Sequence, residues 1–128
     1  MKGQLYCLII FILIISASCE KEKILNQTIL GKWAWVKTYY GFTNYTATYK
    51  DRGYSFDILF DDYYYIEFKD NIPFRKMQYD LVIKQDTIKT NMYVRYEDGV
   101  EQNICFIKDT LLLFNWMGEG SLEYYIRK

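Results

Sequence analysis

Residues 54–69 read YSFDILFDDYYYIEFK, and the fold turns on how this stretch alternates. Tyr54, Phe56, Ile58 and Phe60 fall on one face of an extended chain, because successive side chains of a strand point to opposite sides. Asp61-Asp62 interrupts the run with residues that favour a turn. Alternation resumes over Tyr63 to Lys69. This reading sets Tyr64, Ile66 and Phe68 together on the inner face and sends Tyr63 and Tyr65 outward, beside Glu67 and Lys69. Two such runs joined by a short polar break predict an antiparallel pair.

The same rhythm extends in both directions. Upstream, a strand is expected from Lys32 to about Tyr40, with Trp33 and Trp35 on one face; a polar loop, Thr43 to Arg52, separates it from the strand at Tyr54. Downstream, Asp70 to Pro73 turns into Arg75–Lys84, which aligns Met77, Tyr79, Leu81 and Ile83. A strand follows with Ile88, Thr90, Met92, Val94 and Tyr96 in line, and Asp98-Gly99 is a hairpin signal. Glu101–Ile107, Thr110–Phe114 and Ser121–Lys128 complete eight strands, with no long amphipathic helix among them. Aromatic residues make up 20% of the chain, 14 of them Tyr, and proline occurs once, a balance that suits pleated structure. Consecutive antiparallel strands leave exposed edges unless the sheet closes on itself. The expected fold is therefore all-β, a small antiparallel eight-stranded up-and-down barrel over residues 31–128, with an open sandwich as the competing arrangement.

The first residues carry a different message. After Met1-Lys2-Gly3-Gln4 comes an unbroken run of 11 apolar residues, Leu5 to Ile15, then Ser16-Ala17-Ser18 and Cys19. A positive start, a short apolar run and small residues form the pattern of a secretory signal. The run falls short of the roughly 20 residues that a bilayer span needs. Small residues ending in cysteine resemble the lipobox, in which the thiol is acylated and the chain is cut before it; Ser16 departs from its usual Leu. The resemblance implies a lipoprotein signal peptide over residues 1–18, a lipid anchor on Cys19 and a lipidated tether over residues 19–30. Acyl chains bury about 0.8 kcal/mol per methylene, so several on one cysteine hold it firmly to a membrane. Glu20 and Glu22, directly after the cysteine, fit a solvated tether or a signal for sorting to the outer membrane. The expected address is the cell envelope.

Composition excludes much chemistry. The chain of 128 residues has 16 Lys plus Arg, 16 Asp plus Glu and no histidine. Loss of Lys2 with the leader leaves a nearly neutral domain, which argues against nucleic-acid binding through general electrostatics. Without histidine, the commonest general base and metal ligand is missing. There is no P-loop, no GxGxxG and no EF-hand spacing, so neither cofactor nor metal is expected, and no catalytic centre. Cys105 is the one thiol left beyond Cys19. Its neighbours Ile104, Phe106 and Ile107 predict a buried, unreactive side chain.

Gly31-Lys32-Trp33 at the start and Tyr125-Ile126-Arg127 at the end resemble the lipocalin pattern, in which a G-x-W motif opens the barrel and a late arginine packs over the tryptophan. The resemblance implies that Trp33 and Arg127 staple the barrel closed. A closer likeness, over nearly the whole mature chain, is to a family of small lipocalin-like lipoproteins of Gram-negative bacteria. Gly41-Phe42, Gly53-Tyr54, Phe56 and Phe60, the strand Asp109-Thr110-Leu111-Leu112-Leu113, the turn at Gly120 and the Tyr-x-Arg ending carry it. The likeness speaks to a fold and an address rather than to an activity.

Two functions follow as expectations. The first is a binding lipoprotein that holds a small apolar or amphipathic ligand inside the barrel, in a cavity of some 300 Å³ or more lined by Trp35, Phe56, Tyr64 and Tyr79. The second is a structural or interaction lipoprotein that contacts an envelope protein or a glycan through its outer face or the 42–52 loop, where Tyr45 and Tyr49 stand in a polar setting. Asp86-Thr87-Ile88 and Asp109-Thr110-Leu111 also resemble a short glycan-acceptor motif of some envelope bacteria.

Overall fold

The computed structural model describes residues 28–115 and 120–128. The expected leader, the expected anchor Cys19 and most of the expected tether lie outside the described residues. Nine strands follow one another: β1 (Gly31–Tyr40), β2 (Tyr45–Thr48), β3 (Phe56–Phe60), β4 (Tyr64–Lys69), β5 (Ile72–Gln85), β6 (Thr90–Tyr96), β7 (Glu101–Ile107), β8 (Thr110–Asn115) and β9 (Ser121–Arg127). Every pairing is antiparallel, neighbour to neighbour from β3 to β9, and β1 pairs with both β3 and β9. The result is a closed eight-stranded up-and-down barrel with one extra strand. Closure removes the two outer edges that an open sheet of these strands would leave.

The extra strand corrects the sequence reading of residues 43–52. In place of a loop, β2 pairs with Lys37–Tyr40 of β1, and one helical turn, α1 (Tyr49–Arg52), leads back to β3. β3 itself pairs with Gly31–Ala34, so the two share one edge of β1. Asp51 fixes the turn: its carboxylate accepts hydrogen bonds from the Thr48 amide, 2.6 Å, and the Thr48 hydroxyl, 2.8 Å. Gly53 ends the turn in the left-handed region at φ +72°. Short, polar and lacking a period, this segment offered nothing for alternation to detect.

The inner face follows the period of two. Ile58, Val94, Ile104, Leu111, Leu113 and Tyr125 are buried at the centre, with Trp33 and Phe60 towards one end. A register shift between Trp35 and Lys37 marks a bulge at Val36, which is 40% exposed. The extra residue moves the inward phase from Trp33 and Trp35 to Thr38 and Tyr40. A second shift, between Glu67 and Phe68, passes over Phe74. Pro73 sits beside it, where a missing ladder donor is tolerated.

Two expectations about phase are corrected. Tyr65, not Tyr64, faces inward: Tyr65 is buried and opposite Met77, while Tyr64 lies opposite exposed Gln78 with the Lys76 ammonium 3.9 Å from its ring. Register is the reason. Phe60 pairs with Tyr65, and cross-strand partners share a face. The three-residue connection, 61–63, is held by the Asp61 carboxylate, which accepts from the Tyr63 and Tyr64 amides at 2.8 and 2.6 Å. One residue of slip inverts a whole strand. Cys105 is the other correction. It is exposed, pointing outward between inward-facing Ile104 and Phe106. Ile88 likewise lies in the turn before β6 and is 95% exposed.

Candidate functional site

The two ends of the barrel are built differently. At one end lie Ile29, Gly31 and the termini of β3, β7 and β9. Trp33 is buried and donates from Nε1 to the Ile29 carbonyl at 2.8 Å. The Arg127 guanidinium lies 4.1 Å from the Trp33 ring centroid and donates to the Leu30 and Thr28 carbonyls at 2.8 and 2.6 Å. The structure thus brings Trp33 and Arg127 together and seals this end.

At the opposite end the interior turns polar. A cavity of about 190 Å³ is lined there by Phe56, Tyr65, Glu67, Arg75, Met77, Tyr96, Gln102, Asn115, Glu123 and Tyr125, with Asp98 and Val100 at the β6–β7 turn. Tyr65 donates to Glu67 at 2.9 Å, Tyr125 to Glu123 at 3.1 Å, and Tyr96 to Gln102. Burial pushes the three phenols well above their ordinary pKa. Burial also raises Glu123, against the pull of the Tyr125 hydroxyl and the Arg52 charge. Arg75 is held by Asp98 at 3.2 Å and lies 3.9 Å from Glu67.

Over this mouth stands Arg52, at the end of α1. Its guanidinium lies 4.2 Å from the Trp35 ring centroid, with Nη2 3.4 Å from the Thr38 hydroxyl and 3.5 Å from that of Tyr40. Trp35 in turn donates to Thr38 at 2.9 Å.

The four residues expected to line one apolar cavity do not converge. Phe56 lines the mouth; Trp35 lies beneath Arg52; Tyr64 is on the outer face. Tyr79 packs edge-on against Phe60 and donates to the Asp61 carbonyl at 2.6 Å; burial and the charges of Asp61 and Asp62 push its pKa up to about 12. The interior cavity is also smaller and more polar than expected, because the aromatic side chains fill the barrel below it. A larger concavity, about 570 Å³, lies across β5 and β6, lined by Asp62, Tyr63, Gln78, Tyr79, Asp80, Arg95, Tyr96, Glu97 and Gly99; of the four expected residues it includes Tyr79 alone.

Tyr45 and Tyr49 are 48% and 57% exposed, on β2 and α1. Tyr45 stacks on Tyr40 at 6.3 Å, and its hydroxyl is held up in pKa by the Asp51 carboxylate. They share the mouth end with exposed Phe42, Ile72 and Phe74, the last 6.1 Å from Phe56. Of the two acceptor-like motifs, Thr87 lies in an exposed turn, whereas Thr110 opens β8 ahead of fully buried Leu111.

Sequence reasoning missed Glu67, Glu123 and Arg52. For the two acids the available signal was phase: each lies two residues from a tyrosine that points inward. Compared with protein-family models, curated proteins and solved structures, the chain matches none.

Proposed function

We propose that this protein is a membrane-anchored, lipocalin-like binding lipoprotein of the cell envelope, holding the polar end of a small amphipathic molecule in the barrel mouth. The observation that carries the reading is the polar cavity set inside one end of a closed barrel, with apolar Phe42, Ile72 and Phe74 exposed at the same end. About 190 Å³ is below the 300–1,000 Å³ of pockets that enclose a drug-sized ligand. A polar group enters; a long apolar tail stays at the rim. The chain meets the barrel at the sealed end, at Ile29 and Gly31, so a tether from Cys19 leaves the mouth directed away from its attachment. The address rests on the apolar run Leu5 to Ile15 with small residues and Cys19 after it, and the family on the G-x-W and Tyr-x-Arg pattern.

Native mass spectrometry of the lipidated protein purified from its own host tests the binding role. A retained small molecule, lost when Gln102→Trp fills the mouth, is the expected result; a ligand-free protein from every preparation counts against it. Replacing Cys19 with Ser tests the anchor and should release the protein from membranes.

A second reading, contact with an envelope protein or glycan, draws on the exposure of Phe42, 81%, and of Tyr45 and Tyr49. Changing Phe42 and Tyr49 to Ser abolishes association with a partner under this reading and leaves a retained small molecule in place under the first.

A further inference from the structure

The hydrogen bonds at the mouth have a direction. Tyr65, Tyr96 and Tyr125 each spend their one hydroxyl proton on Glu67, Gln102 or Glu123. What remains towards the cavity is oxygen lone pairs and ring faces. Three carboxylates and one guanidinium line it; that guanidinium is engaged by Asp98 at 3.2 Å and lies farther, 3.9 Å, from Glu67, so the carboxylates outnumber it. Gln102 accepts from Tyr96 through its amide oxygen and keeps its NH2 group as a donor. Such a wall accepts hydrogen bonds more readily than it gives them, and its negative excess sits among aromatic faces that attract cations.

A second observation points the same way. The chain places a cation of its own at this mouth: Arg52, 4.2 Å from the Trp35 ring centroid and within 3.5 Å of two hydroxyl oxygens. Its charge reaches Glu123. The aromatic and oxygen surroundings thus already hold a guanidinium.

Size narrows the class. At roughly 30 Å³ per water in the liquid, the cavity holds about six water-sized groups. That fits an ammonium or guanidinium on a short alkyl stem.

Resting on the binding role above, we infer that the mouth takes a small organic cation, with Glu67 and Glu123 as its charge partners and Arg52 as the internal cation that opposes it. Ammonium brings three donors and no acceptor, the complement of this wall. A carboxylate or phosphate head meets like charge.

The test uses the full lipidated protein in nanodiscs, with empty nanodiscs as the blank. The probes are n-butylammonium, n-butanol and butyrate, alike in length and different in charge, read by Trp fluorescence and ligand-observed NMR. Butylammonium should bind at least about tenfold more tightly than the other two, a difference in line with a charge-assisted contact. Glu67→Gln and Glu123→Gln keep shape and hydrogen-bond acceptance, and each should weaken it several-fold. Arg52→Gln removes the opposing charge and should strengthen it, a sign that mere damage to the mouth does not produce. Equal binding of the three probes, or no response to the three substitutions, overturns the inference. So does binding of none of them. A retained molecule without basic nitrogen, found by native mass spectrometry, sinks the cation alone and leaves the binding role. Failure of every probe together with a ligand-free native protein removes both.

Discussion

The Arg127 guanidinium lies over Trp33, 4.1 Å from the ring centroid, and reaches back across 99 and 97 positions to the Thr28 and Leu30 carbonyls. The last strand is thereby tied to the segment before the first. Gly31 is part of this contact. Its φ is +118°, and a Cβ there would stand 2.9 Å from Arg127 Nη1. The glycine of the G-x-W motif is thus required twice, by its backbone and by the arginine.

Arg127→Ala should lower stability by about 1–2 kcal/mol, the sum of an exposed cation–π contact and charge-assisted bonds to carbonyls. Arg127→Lys recovers less than half, since an ammonium cannot reach both carbonyls in a planar fork. Urea denaturation of each variant measures this.

Gly31→Ala should cost about 1–3 kcal/mol through strain at positive φ. Because the new methyl displaces Arg127, adding Arg127→Ala to it should cost less than in the parent. Strict additivity in this double-mutant cycle refutes the shared contact.

The hairpin at residues 60–65 supplies a test of phase. Tyr65 is buried and bonded to Glu67, while Tyr64 lies outside under Lys76. Tyr65→Phe leaves a carboxylate short of a donor and should cost about 1–2 kcal/mol. Tyr64→Phe should stay within about 0.5 kcal/mol, as surface changes usually do. The reverse order of costs excludes the observed register.

That hairpin also shows where reading the sequence stopped. Alternation over β3, β5 and β6 needs no outside reference, because the chain offers one apolar set and one polar set. Tyr63-Tyr64-Tyr65 offers three equal claimants, and only the connection held by Asp61 decides among them. Trp33 and Trp35 were legible as an inward pair; the bulge at Val36, which brings Thr38 inside, was not. Glu67 and Glu123 read as surface residues because a charge on a strand ordinarily faces water. Arg52 meets Trp35 only once β2 and α1 fold back over the mouth, a contact that no local pattern carries.

The phenols make alkaline behaviour predictable. Tyr79 ionises near 12, and Tyr65, Tyr96 and Tyr125 are also raised, chiefly by burial. A phenol raised in the fold contributes stability that is complete below its unfolded value of 10.0 and is lost as pH climbs through its folded value. The protein should therefore lose stability between pH 10 and about 12, with these tyrosines titrating late by ultraviolet difference absorbance. Tyrosines that all ionise together near 10, in a still-folded barrel, contradict their burial.

Glu123 sets an opposite problem at neutral pH. Burial raises its folded pKa above the ordinary 4.5, so its contribution is fully present below 4.5 and is lost as pH rises through the folded value. Asp51, Asp61 and Glu101 run the other way: hydrogen bonds lower them, and their contribution, present above their ordinary values, is lost on acidification. Glu123→Gln isolates the first effect, since the amide oxygen still accepts from Tyr125. The variant should be more stable than the parent at pH 7, with the advantage shrinking as pH falls and gone below about 4.5. Urea midpoints across that range measure it, and parallel curves for the two proteins defeat the argument. The same substitution should weaken binding of butylammonium. A carboxylate that costs the barrel stability when ionised, yet improves the grip on a cation, is explained by the ligand and not by the fold.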